Sequence, residues 1–175
     1  MDSSLVFWAP LWHPHLSLSP FVTKDPQAHS CTVTGALWTP QGRTFDGLDD
    51  KISAPHNTAL DFAADDFTIL GWFYHHSIPD WAEYSAKSLD ANNRWLWYWH
   101  SDPQLYFSAF VGGATKANYR STTLVRSAIT LNSWYFMELK RTGISLTMSM
   151  NGTNIALTTL TAISTNSITN TGNGR

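Results

Sequence analysis

The sequence predicts an all-β protein, and three observations carry that prediction. Helical periodicity is nearly absent along the 175 residues. Short alternating runs rich in Val, Ile, Thr, Tyr, Phe and Trp recur instead, and clusters of Gly, Pro, Asn and Asp separate them. Many short strands at near-regular spacing favour a two-sheet sandwich or barrel over a sheet flanked by helices.

In chain order, strands are expected over Leu5 to Leu11, Ser30 to Leu37, Arg43 to Phe45, Lys51 to Ala54, Phe67 to Tyr74 and Tyr84 to Leu89. They continue over Trp95 to Trp99, Leu105 to Val111, Ser121 to Val125, Tyr135 to Arg141, Ser145 to Met150 and Thr153 to Leu160. The firmest local signal is Asn151-Gly152 between Ser145 to Met150 and Thr153 to Leu160. Asn-Gly supplies the two positive φ angles of a type I′ hairpin turn. In the strand before it, Leu146, Met148 and Met150 share one face while Ser145, Thr147 and Ser149 share the other, which suits one buried and one wet side. Residues 158–175, rich in Thr, Ser, Asn and Gly, read as a polar outer strand or a frayed tail.

Length allows one domain with a sizeable core, so a single domain over residues 1–175 is expected. Net charge is −2 with Lys and Arg scattered, which argues against a nucleic-acid partner and against an anionic lipid surface. Cys31 is the only cysteine, so the core must hold by packing rather than by an internal disulfide. The N-terminal stretch has neither a basic leader nor a long apolar run before Pro10, and membrane insertion is not expected. It reads as a chain made in a cytoplasm, with a virion or extracellular destination left open. Asn151-Gly152-Thr153 fits the glycosylation pattern, and without a leader a chance match is the better reading.

Three stretches carry a family resemblance. FDGLDDKISAPHNTALDFAADDFTILGWFY (residues 45–74), NSWYFMELKRTGISLTMSMNGTNIA (132–156) and, more weakly, LVFWAPL with Asp25 and TVTGALWTPQGRTFDG resemble the laminin G-like branch of the concanavalin A-like superfamily. The resemblance implies a two-sheet antiparallel jelly-roll sandwich and a lectin-like, non-catalytic role. Two departures accompany it. The loop after Asp25 reads Pro26-Gln27-Ala28-His29 where members carry a Ser-Gly-Asn-like loop, and the chain ends at Arg175 where members continue into a closing strand. A jelly roll without that strand leaves an open edge beside Leu5 to Leu11, where the chain can associate with itself.

Asp46, Asp49 and Asp50, with Asp61, Asp65 and Asp66 further on, form the densest acidic region. Loop carboxylates suit Ca²⁺, which accepts irregular oxygen geometry, and the resemblance adds Asp25 and favours Asp25 and Asp46 as ligands. The competing reading is turn formation, because Asp side chains bond nearby backbone amides. Zinc is disfavoured: His75 and His76 are adjacent, so in a strand they point to opposite faces.

Glycanases of this superfold need carboxylates about 5 Å apart on one strand. Glu83 and Glu138 are the only glutamates; Glu83 is expected in a loop, and Glu138 alternates with Met137 and Leu139 and so faces solvent. A recognition module is therefore expected rather than an enzyme, binding a glycan or a protein surface. The alternative is a structural or adhesion component of a phage particle or larger surface protein, and a glycan hydrolase ranks last.

Nine tryptophans are the most unusual feature of the composition. Trp95, Trp97 and Trp99 alternate onto one face, where they either stack on sugar rings or fill the core. Trp72 and Trp134 are assigned to the core by the resemblance. Trp81 and Tyr84, around the Pro79-Asp80 turn, are the loop aromatics expected to contact a ligand.

Overall fold

The computed structural model describes residues 3–62 and 64–164. The chain is nearly all β and divides into two compact units, Met1–Leu60 and Asp61–Arg175. No helix among the described residues is long and apolar enough to cross a membrane.

The first unit holds β1 (Phe21–Val22), β2 (Ser30–Thr34), β3 (Leu37–Thr39), β4 (Gly42–Thr44) and β5 (Lys51–Ser53). The antiparallel sheet β1-β2-β5 packs around a small core of Leu16, Phe21 and Cys31, and the hairpin β3-β4 reaches it through Arg43 over the Phe21 ring. Arg43 stitches the unit together by donating to the carbonyls of Ala36, Leu16 and Leu18. The strand expected over Leu5 to Leu11 does not form. Its apolar run reaches Pro10, which lacks an N–H for a ladder, and its backbone is held by other groups. The Trp8 N–H donates to the Asp25 carboxylate at 2.9 Å, while the Trp8 carbonyl accepts from the Lys24 N–H. Leu5 to Leu11 therefore does not present the sheet edge expected of it.

The second unit is an antiparallel β-sandwich. Its strands are β6 (Phe67–Tyr74), β7 (Glu83–Asp90), β8 (Asn93–Trp99), β9 (Gln104–Val111), β10 (Ala114–Val125), β11 (Trp134–Thr142), β12 (Ser145–Met150), β13 (Thr153–Ile155) and β14 (Leu157–Thr161). Five form the sheet β14-β10-β9-β8-β7 and four the sheet β13-β12-β11-β6. One core lies between them. Trp95, Trp97, Trp99, Leu105, Phe107, Ala109, Ala117 and Tyr119 come from the five-stranded sheet; Phe67, Tyr135, Met137, Leu139, Leu146, Met148 and Ile155 come from the four-stranded one.

Period-two alternation explains this division. In β11, Tyr135, Met137 and Leu139 turn inward, and Glu138 between them faces outward as expected. The Asn-Gly hairpin forms between β12 and β13, with Asn151 at φ 51° and Gly152 at φ 76°. Before it, Leu146 and Met148 are buried and Met150 packs against the core from its edge. The same parity overturns the core assignment of Trp72 and Trp134. Both pair across β6 and β11 with outward residues, Trp72 with Phe136 and Trp134 with Tyr74, and they are 65% and 44% exposed. The expected outer strand begins as β14, and residues 165–175 of that stretch lie outside the described residues.

Candidate functional site

The outward face of the five-stranded sheet carries an organised set of polar and aromatic side chains. Strand register aligns Glu83 with Tyr98, Tyr98 with Tyr106, and Tyr106 with Arg120, so four strands contribute one cross-strand row. Leu96, Tyr98 and Tyr106 form a small buried cluster on this face, with Phe110 packed against it, so the accessible groups of the row are Glu83 and Arg120. Behind them Tyr98 Oη and Ser108 Oγ lie 3.3 Å apart, and Ser108 Oγ donates to Asn118 Oδ1.

Over one end of this row stands Trp81. Its indole is 56% exposed, lies parallel over the Tyr98 ring at 5.8 Å and 12°, and meets the His100 ring edge-on at 4.3 Å. Its backbone sits at φ 65°, a left-handed conformation that a bulky non-glycine residue adopts only at a cost. The neighbours that hold it there are visible. Arg126 donates to the Ile78 carbonyl, the Asp80 carboxylate and the His100 carbonyl, and thereby ties the Pro79-Asp80-Trp81 turn to the end of β8. Arg126 also lines a shallow depression of about 450 Å³ with Ile78, Pro103, Ile129 and Leu131.

Asp102 organises the polar side of the row. It accepts the Tyr106 O–H at 2.6 Å, lies 3.1 Å from His100 Nδ1, and is 3.8 Å from Arg120. Burial works to raise its pKa, but Tyr106, the Gln104 N–H and His100 outweigh that and hold the carboxyl below its ordinary range. Burial and the bond to Asp102 push Tyr106 upward, and burial does the same to Tyr98. Glu83 is raised by desolvation against the opposing charge of Arg94.

Of the expected ligand-contacting aromatics, the structure places only Trp81 on an open surface. Trp95, Trp97 and Trp99 are buried, the last two completely, because their shared face is the one turned toward the other sheet. Tyr84 also turns inward rather than lining the turn. A register shift between Glu83 and Ser85 accompanies its position, and its hydroxyl contacts His75 Nε2 and accepts from Trp99 Nε1, both at 2.9 Å. Burial pushes that phenol well above its ordinary pKa. His75 and His76 point apart, His75 buried and His76 exposed beside Asn132. Glu83 and Glu138 lie on the outward faces of opposite sheets, so they cannot act as a catalytic pair.

The carboxylates expected to bind calcium divide into two sets. Asp46, Asp49 and Asp50 can present oxygens within 4.8 Å of one another. They also cap their own turn: Asp50 accepts the Asp46 N–H and Asp46 accepts the Leu48 N–H. Asp25 is not part of that group. It is buried and spends its oxygens on the N–H groups of Trp8, Gln27 and Ala28, because the altered loop after it folds back onto its side chain. Of the later acidic residues, Asp61 pairs with Lys87 and Asp66 accepts the Gly143 N–H.

A second exposed aromatic group lies on the outward face of β6 and β11. Trp72 contacts Phe136 with ring centres 5.3 Å apart, and Tyr74 contacts Trp134 at the same spacing. The row at Tyr98 was missed from sequence because it depends on pairings between distant strands; the alternation of Arg94, Leu96, Tyr98 and His100 was its one local signal. Comparison with family models, curated proteins and solved structures returned no match.

Proposed function

We propose that the chain is a non-catalytic recognition module that binds a glycan on the outward face of its five-stranded sheet. The observation that carries this reading is Trp81: an exposed indole, held in a left-handed backbone conformation and backed by Tyr98 and His100. Strain of this kind persists where the surroundings over-determine it, and it concentrates at binding sites. One indole face is braced by protein, which leaves the other for the C–H face of a sugar ring. Asp102, Glu83 and Arg120, all solvent-accessible, supply donors and acceptors on the same face for the hydroxyls. The Phe-Asp-Gly and Asn-Gly segments support a laminin G-like affiliation for the same module. Screening the chain against immobilised glycans tests the reading: a hit that disappears in Trp81→Ala supports it, and a hit indifferent to that change moves the site elsewhere.

A structural or assembly role is the second reading, favoured by the exposed group of Leu70, Trp72, Tyr74 and Trp134. Light scattering coupled to size exclusion tests it. Association that is abolished by Trp72→Ser with Trp134→Ser supports assembly, and a monomer at all concentrations opposes it.

A further inference from the structure

The same outward face carries two guanidinium groups, Arg94 without a side-chain hydrogen bond and Arg120 shared between Tyr106 and a loose ion pair with Asp102. The Arg94 side chain has no hydrogen bond or close ion pair among the described residues, although its charge acts on Glu83; its guanidinium lies over the Phe110 ring at 5.5 Å, and its Nε is shut off from solvent without an acceptor. Arg120 sits in the row with Tyr106, 3.8 Å from Asp102, and its Nε is likewise enclosed and without an acceptor. A ligand cannot reach the enclosed Nε atoms, but the terminal guanidinium nitrogens can donate to acceptors that it supplies. Two acids share this face: Asp102 is engaged by Tyr106, His100 and Arg120, and Glu83 lies within the field of Arg94.

Spacing narrows the ligand further. Arg94 precedes Tyr98 by four residues on β8, whereas Arg120 lies level with Tyr98 two strands away. At standard strand dimensions the two are about 13 Å apart along the strands and about 10 Å across them. One small anion cannot meet both. A polymer with an acidic group on successive units can, and the planar fork of arginine matches the two coplanar oxygens of a carboxylate.

We infer that this face takes a carboxylate-bearing polysaccharide, a polyuronate, with Trp81 stacking on one sugar ring while Arg94 and Arg120 each pair with a carboxylate. The inference rests on the glycan reading of the same face. Titration calorimetry with polygalacturonate and with its fully methyl-esterified form tests it, because the two polymers share a backbone and differ in charge. The acid form should bind at least tenfold more tightly at low salt, and added NaCl should narrow that gap. Arg94→Gln with Arg120→Gln should bring the acid form down to the ester, whereas Trp81→Ala should weaken both.

Arg94→Gln alone removes no internal hydrogen bond and serves if the double variant is unstable; it should retain less than half of the preference. Equal affinity for acid and ester overturns the inference while leaving glycan recognition intact. So does binding of neither polymer when another saccharide binds through Trp81. Dextran sulfate binding as tightly as polygalacturonate overturns the carboxylate assignment, and failure to bind any saccharide overturns both readings.

Discussion

The indole of Trp81 lies parallel to the phenol of Tyr98, ring centres 5.8 Å apart, while its own backbone occupies the left-handed region at φ 65°. A strained tryptophan that filled a structural gap would be expected to turn inward; this one remains more than half exposed. Trp81→Gly separates the two roles. It relieves about 1–3 kcal/mol of backbone strain, against about 0.5–1.5 kcal/mol of lost ring contact and about 0.5–1 kcal/mol of added unfolded-state freedom. Stability by thermal or urea unfolding should therefore stay within about 1 kcal/mol of the parent, a balance of the same terms. A large loss of stability would make Trp81 a structural residue.

Inside the sandwich, Tyr84 links His75 to Trp99 through its hydroxyl. Tyr84→Phe preserves the ring and strands two buried nitrogens, which should cost about 1–3 kcal/mol in urea unfolding. Trp97→Ala, which empties a fully buried site, should cost about 3–5 kcal/mol. Equal costs for the two would argue against this view of the core.

Burial also depresses the pKa of His75. The sign follows from linkage: a folded value below the unfolded one, about 6.5, makes the unfolded state the better proton binder. Stability is then fully present above about pH 6.5 and declines as pH falls below it. Melting temperature should drop between pH 7 and pH 5, and His75→Gln should flatten that drop. An unchanged slope in the variant would remove His75 as its source.

In the first unit the acid response has a different origin. Burial works against the Asp25 carboxylate, but the Trp8 N–H, the Thr23 hydroxyl and the Gln27 N–H together hold its pKa below the ordinary value. Its contribution is complete above about pH 4 and is lost as pH falls through the depressed value. Asp25→Ala should speed hydrogen exchange at the Trp8 and Gln27 amides by tenfold or more at neutral pH. Protection that survives the substitution would mean that the loop is held by other contacts.

Local rules read well where the determinants are local. Asn151-Gly152 encodes its hairpin in two residues, and the alternation of Leu146 and Met148 places them inward without reference to any partner. Trp72 and Trp134 failed because motif matching gives a position along the chain, whereas parity with Tyr135 and Met137 decides the face. Tyr84 failed for a related reason: the register shift next to it is a long-range property of the β7-β8 pairing. Leu5 to Leu11 looked like a strand by composition, yet its Trp8 N–H found the Asp25 carboxylate instead of a ladder partner. Trp81 was legible as an exposed turn aromatic, but the row of Glu83, Tyr98, Tyr106 and Arg120 beside it exists only once three pairs of strands are aligned.

Under the proposed function Trp81 stacks on a saccharide. The most direct measurement is the affinity of the parent chain and of Trp81→Ala for the best saccharide found in a glycan screen, with unfolding curves to establish that both are folded. Affinity should fall at least tenfold in the variant, with stability lowered by no more than about 1.5 kcal/mol, the value of the lost ring contacts. A folded Trp81→Ala protein that binds as tightly as the parent would contradict it.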